Sequence, residues 1–239
     1  MKTNHFIWTD LSSYQPLESI NFYKAIFPWS FYEQQGYHLA YQNNQALLGI
    51  YETPAFFKKI KMPHFWMNYI QVEEVAKTVA LAEAHGGKVE VANAPFYEGK
   101  IALIRDPMGA GFTVYEGDAL RQMPSEQPGG VLYRALQTSN AAKVIPFYEA
   151  LFDWKIEADA YAGHYAVTLP NYEVEAYIEE VPNAMKGKYE YWVTVFNVDS
   201  AAETGNLILA NGGTLIADES VRQLFADPSG EAFFYIQEI

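Results

Sequence analysis

Asp10 lies inside an otherwise aromatic and apolar run, Phe6-Ile7-Trp8-Thr9-Asp10-Leu11, which reads as a β-strand. It shares alternation parity with Trp8, so both side chains leave the strand on one face. A carboxylate on an interior strand face needs a partner, or its pKa rises. Two readings follow. Asp10 is a ligand contact or general base, or it is solvated or paired with a core hydroxyl. His38 and His164 stand 126 residues apart, each on a hairpin-like stretch. A histidine there could do acid–base work near neutrality, or simply occupy a sheet edge. No nucleophile–histidine arrangement, phosphate-cradling loop or dinucleotide fingerprint is present. The chain has no cysteine, which removes disulfides, thiolate metal sites and cysteine nucleophiles.

The elements that would position these groups are punctuated by a repeated turn. Asp106-Pro107-Met108-Gly109 precedes Phe112-Thr113-Val114-Tyr115, and Asp227-Pro228-Ser229-Gly230 precedes Phe233-Phe234-Tyr235. Asp, Pro and Gly at these places favour a tight turn entering a strand. Earlier landmarks repeat too. Phe22-Tyr23…Phe27…Trp29 matches Phe147-Tyr148…Phe152…Trp154 at an offset of 125 residues, and Gly86-Gly87 matches Gly212-Gly213 at 126. Each repeat reads as strand, helix, three strands. Pro16 suits a first helical turn, and Leu17, Ile20, Tyr23 and Phe27 recur at helical spacing. Glu73-Glu74 place negative charge at a helix start, Gly86-Gly87 end that helix, and Ser139 or Asn140 and Asp199 or Ser200 are candidate caps. Pro146 falls inside an expected helix, which predicts a kink or a later start. Residues 117–130, rich in Gly and Pro, read as a linker. The expected organisation is module 1 at 1–116, linker 117–130 and module 2 at 131–239. The two modules should superpose without one continuous core spanning them.

Composition bounds the function. Half of the 239 residues are hydrophobic and 16% are aromatic, enough for a sizeable core. The net charge of −13 argues against nucleic acid and anionic membranes as partners. No stretch reads as a signal peptide or membrane span. A cytoplasmic protein, monomer or homodimer, is the expectation.

The landmark order resembles the vicinal oxygen chelate superfamily of glyoxalase I, bleomycin-resistance proteins and extradiol dioxygenases, and within it the tandem two-module proteins. The resemblance implies an α+β fold of four βαβββ units forming two modules with cup-shaped mixed sheets. It also implies that a divalent metal or a ligand sits in the cup, held by His, Glu or Gln. Mapped onto this chain, the ligand positions fall on Trp8, Gly49, Met67 and Thr113 in module 1, and on Tyr133, Val193 and Phe234 in module 2. None is a good metal ligand. A shift of register would bring Glu52, His64 and Glu116 nearest, but parity turns Glu116 away from Thr113.

The expectation is therefore a protein that has lost the family metal site and needs no cofactor. It would bind a small, partly apolar molecule in the module 1 cup through Trp8, Asp10, Met67, Tyr69, Thr113 and Tyr115. Module 2 offers only Ala135, Val195 and Phe234 at matching places. The alternatives are a lyase, isomerase or dioxygenase carrying Ni, Zn, Mn or Fe, and an interaction protein whose cups are filled by side chains.

Overall fold

A computed structural model describes residues 3–120, 127–169 and 174–239. The first repeat is β1 (Phe6–Ser13), α1 (Pro16–Ile26), β2 (Ser30–Gln34), β3 (Tyr37–Gln42) and β4 (Gln45–Glu52). A short α2 (Ala55–Lys59) leads to β5 (Phe65–Gln71), α3 (Val75–Ala84), β6 (Lys88–Phe96), β7 (Gly99–Arg105) and β8 (Gly111–Glu116). The third repeat is β9 (Val131–Thr138), α4 (Ala141–Phe152), β10 (Lys155–Ala158), β11 (His164–Thr168) and β12 (Val174–Glu180). After α5 (Asn183–Lys186) come β13 (Tyr191–Val198), α6 (Ala201–Ala210), β14 (Thr214–Asp218), β15 (Arg222–Ala226) and β16 (Phe233–Glu238). The class is α+β, as the repeats imply. Strands β1 to β8 form one mixed sheet in the order β2-β3-β4-β1-β5-β8-β7-β6, and β9 to β16 form a second with the matching order. Part of the expected linker, residues 121–126, lies outside the described residues.

Local chemistry explains where the helices begin and end. Pro16 opens α1, and its buried stripe is Ile20, Phe22, Tyr23 and Ile26; Leu17, expected in that stripe, is exposed. Helix α3 starts directly after Glu73-Glu74, as expected, with Glu74 at the N-cap position; the side-chain cap comes from Glu116, whose carboxylate accepts the Val75 N–H at 3.0 Å. The same device recurs at α4, where Glu180 accepts from Ala141, and at α6, where Glu238 accepts from Ala201. Asn140 and Ser200 add side-chain caps. Gly86 and Gly212 take left-handed φ angles of 86° and 90°, which L side chains resist, and so end α3 and α6. Pro146 does not delay α4, which begins five residues earlier at Ala141.

Packing divides the chain into two compact units that do not follow the halves of the sequence. One unit comprises Met1–Trp8, Asn68–Arg121 and Tyr133–Trp192; the other comprises Thr9–Met67, Gln122–Leu132 and Val193–Ile239. In the first, α3 packs on α4, and Phe6, Phe112, Phe147, Tyr148 and Trp192 share a core. In the second, α1 packs on α6 around Tyr23, Phe27, Trp29, Trp66, Phe196 and Phe234. There is no single core, but each of the two cores draws on both halves. Helices α1, α3, α4 and α6 each pack on a helix from the other half.

The Asp-Pro turns show how the two copies differ. Asp106 Oδ1 accepts from the Met108, Gly109 and Ala110 N–H groups at 2.8, 2.8 and 3.0 Å. Its Oδ2 accepts from the Tyr148 hydroxyl at 3.1 Å, and that hydroxyl accepts from Trp192 Nε1 at 2.8 Å. Burial pushes the Asp106 carboxyl up from 3.8 to about 6 against these bonds. In the second copy the turn is one residue longer: the Asp106 N–H reaches Ala110 O, whereas the Asp227 N–H reaches Ala232 O. Everything downstream moves by one, so Phe234 lies in the helix-side core and not on the opposite face, where the sequence mapping put it. Tyr235, the partner of Val195, takes the place equivalent to Thr113, the partner of Tyr69.

Two outcomes follow. Fragments 1–120 and 127–239 each lack half of both cores, so separately they should show no cooperative thermal transition as monomers; mixing them should restore it, as circular dichroism melts will show. For Asp106 the folded pKa is the higher one, so its contribution is complete below about pH 4 and is lost as pH rises through about 6. The stability difference between wild type and Asp106→Asn, measured by urea unfolding, should therefore shrink from pH 4 to pH 7.

Candidate functional site

The β-strand alternation sorts side chains onto two faces. Leu11, Leu48, Ile50 and Ala40 turn toward the helices, where they are part of the core. Asp10, Tyr37, Gly49 and Tyr51 therefore turn to the helix-free face. Register makes them neighbours: Asp10 is paired with Gly49 and Tyr37 with Tyr51. The Tyr37 hydroxyl donates to Asp10 Oδ1. The Tyr37 and Tyr51 rings stack with centroids 6.3 Å apart. Burial, and next the Asp10 carboxylate, push the Tyr51 hydroxyl pKa up, so it stays protonated. Asp10 is fully buried and paired with a hydroxyl, one of the two readings its position allowed.

Gly49 completes the arrangement. A Cβ there would fall on the Tyr37 hydroxyl and 2.6 Å from Asp10 Oδ1. Only glycine leaves room for the tyrosine to reach across β4 to the aspartate. The resemblance puts a metal ligand on this strand near Gly49. Here that space holds the Tyr37 hydroxyl.

Met67, also buried, lies in the same compact unit as Asp10. Trp8, Tyr69, Thr113 and Tyr115 are buried in the other unit. There Tyr69 is the Cα partner of Thr113, Gln71 that of Tyr115, and the Tyr69 ring stacks on Phe96 at 5.8 Å. The ligand-capable residues nearest to the mapped positions are engaged elsewhere. Glu52 pairs with Lys58, Glu116 caps α3, and His64 accepts the Tyr14 N–H at Nε2. Among the described residues no three His, Cys, Asp or Glu side chains are grouped to hold a metal ion. Indole, thioether, neutral hydroxyl and glycine do not make a divalent-metal site.

The histidine pair comes apart. His38 is the Cα partner of Ile50 and so faces the helices. His164 is the partner of Glu179 and faces away from them. The residue equivalent to Tyr37 is thus His164, because the second β2–β3-type hairpin is two residues longer. The helix-free face of the second sheet is also not apolar. Gln137 Nε2 donates to the buried Glu179 at 2.5 Å, and burial, then Glu179, lift Tyr191 to about 12. In the other unit Tyr235 donates to Glu219 at 2.8 Å under the Arg222 guanidinium. Offsets fixed on helices missed Tyr37, Gln137 and Glu179. Counting hairpin lengths would have found the shift.

Residues 6–114 match the Glyoxalase/Bleomycin resistance protein/Dioxygenase superfamily. The chain is 31% identical over 136 residues to a probable chloroplastic lactoylglutathione lyase of Arabidopsis thaliana, covering 55% of this chain and 36% of that protein. It thus spans about a third of that relative's length. Among solved structures it is similar to the Mn(II)-bound glyoxalase of Novosphingobium aromaticivorans, with a TM-score of 0.68 at 11% identity over 99% of this chain and 82% of that one. The 2,3-dioxygenase LapB of Pseudomonas sp. KL28 gives 0.65 at 12% identity over 99% and 92%. At these identities the likeness to solved structures concerns the fold. Among the described residues no helix is long and apolar enough to cross a membrane.

The Asp10–Tyr37 contact sets two expectations. Tyr37→Phe removes a donor from a buried carboxylate and should destabilise by about 1–3 kcal/mol. Gly49→Ala should cost a similar ~1–3 kcal/mol through overlap with Tyr37, and Tyr37→Ala in the same chain should recover part of that loss. Chemical denaturation of the two single variants and the double variant checks both.

Proposed function

We propose, from the match of residues 6–114 to the glyoxalase/bleomycin resistance protein/dioxygenase superfamily, that the chain is a member without the family's metal site. In this reading it binds a small, partly apolar molecule on the helix-free face of the first sheet. One observation carries it: Gly49, near a mapped ligand position, is covered by the Tyr37 hydroxyl bonded to Asp10. The same tyrosine that removes room for a ligand side chain supplies an oriented polar group. Asp10 accepts hydrogen bonds, and Tyr37 and Tyr51 present aromatic faces and hydroxyls. Met67 adds apolar surface. A few placed polar groups in an aromatic surround suit small-molecule recognition. No cofactor enters this reading, and a cytoplasmic setting goes with it.

Elemental analysis of the purified protein should find well under one equivalent of Ni, Zn, Mn or Fe. Chelator treatment should leave the melting temperature unchanged, since a bound metal would add stability by mass action. Tyr37→Phe, which keeps the ring and removes the hydroxyl, should weaken any ligand found by screening by about tenfold or more. A full metal equivalent that is lost together with activity on dialysis against chelator would overturn this proposal in favour of a metal-dependent lyase or dioxygenase.

A further inference from the structure

Two sheet edges that correspond in the repeat are finished differently. Strand β6 ends the first sheet and β14 ends the second. Helix α3 and β6 match α6 and β14 at the offset of 126 residues. On β6 the edge is charged. Glu90 accepts the Arg105 Nε–H at 2.8 Å and lies 3.6 Å from Lys88 Nζ, and Lys88 is the Cα partner of Arg105. On the second edge those three places hold Ile216, Ala226 and Thr214, with Thr214 the Cα partner of Ala226. Glu83 of α3 likewise corresponds to Leu209 of α6. Between Val75 and Val91 stand Lys77, Glu83, Lys88 and Glu90, whereas between Ala201 and Ala217 the sequence has no Lys or Arg and no acid but Glu203.

The apolar replacements form one face within the unit that contains Val193–Ile239. Leu209, Leu215 and Ile216 are 48%, 39% and 44% exposed. Leu209 lies one helical turn after Gly205, where a Cβ would meet Phe225 of β15 at 3.3 Å. Phe225 is the Cα partner of Leu215, and it lies in the helix-side core, so Leu215 turns toward α6. The register shifts between Leu215 and Ala217, which makes Ile216 a bulge residue. Sheet edges are commonly protected from other strands by charge. Lys88 and Glu90 do this on β6. Of the remaining edges, β10 carries the Lys155–Glu157 ion pair at 2.8 Å and β2 carries Glu33. On β14 the one charge is Asp218 at its end, which accepts from Gln223 Nε2 at 3.1 Å.

We propose that this face is covered by the same face of a second copy of the chain, edge β14 against edge β14 about a two-fold axis. Charge selects the occupant. Each chain carries −13, so two copies close most readily where the meeting surfaces are nearly free of carboxylates. A basic partner would find almost no acid here to pair with. Symmetry suits the strand as well. With two β14 strands antiparallel and Ile216 at the axis, Asp218 of each copy stands opposite Thr214 of the other, so the carboxylate meets a hydroxyl and not its like. The bulge interrupts a continuous ladder of backbone bonds, so burial of Leu209, Leu215 and Ile216 carries the contact. The charges on β6 block the equivalent contact at the first edge, and the assembly closes as a dimer instead of growing into a filament. This surface is separate from the helix-free face of the first sheet and does not depend on the ligand read there.

Sedimentation equilibrium of the full chain, from roughly 1 µM to 1 mM, should show monomer passing into dimer, as for a contact at the small end of protein interfaces. Added salt should tighten the dimer by screening the repulsion between two acidic chains. Ile216→Glu and Leu209→Glu, which restore the first copy's Glu90 and Glu83 at exposed positions, should each weaken the dimer by about tenfold or more. Their thermal melts at the lowest concentration should match wild type. Leu17→Glu, at an exposed position on α1, should leave the equilibrium unchanged. A chain that stays monomeric throughout, which would leave the face to a different protein, would overturn the proposal. So would a dimer that salt loosens, or one indifferent to both glutamate variants.

Discussion

A carboxylate taken out of water has to be given donors, and four of them organise this protein. Asp106 receives three backbone N–H groups and a tyrosine hydroxyl, which hold its turn against the start of β8. Asp10 receives Tyr37, which in turn requires glycine at position 49. Glu179 receives Gln137. Asp227 receives the Ser229 N–H and hydroxyl, and it borders the cavity beside His64. Each of these pairings costs desolvation that only good geometry offsets. Where the geometry is complete the group is part of the scaffold.

The helices impose a second constraint. A βαβββ unit has one helix on one face of its strands, and that helix cannot be enclosed by its own unit alone. Hydrogen bonding unites the first two units in one sheet and the last two in another. Helix packing pairs the units differently, α1 with α6 and α3 with α4. Backbone pairing thus joins the units within each half, and helix packing joins one half to the other. Tyr148 shows the coupling, since it buries its ring among Phe112, Phe152 and Trp192 and gives its hydroxyl to Asp106. Its role is set by a turn from the other half of the sequence.

The two copies have diverged through small changes in length. One residue in the Asp-Pro turn moves Phe234 into the core and puts Tyr235 on the opposite face. Two residues in a hairpin put His164 where Tyr37 stands in the first copy. Because the strand period is two, a single insertion reverses the face of every residue that follows. Insertions of this size turn a polar face into a different polar face without disturbing the sheet.

The amino-acid sequence by itself established the repeat, the α+β class, the strand–helix–strand order and the parity of Trp8, Asp10, Met67, Tyr69, Thr113 and Tyr115. These are local properties: alternation, helical spacing, turn residues and their recurrence are all carried by neighbours along the chain. It also showed that Trp8, Met67 and Thr113 make poor metal ligands, because that is a matter of side-chain chemistry. Only the tertiary structure decided that Tyr37 closes over Gly49 to reach Asp10, that the Glu116 side chain caps α3, and that His38 and His164 face opposite ways. It alone revealed His64 and Asp227 lining one cavity. Each of these depends on hairpin register or on residues far apart in the chain. Register is set by turn lengths and by which face finds a core, neither of which a fixed offset between two copies can supply.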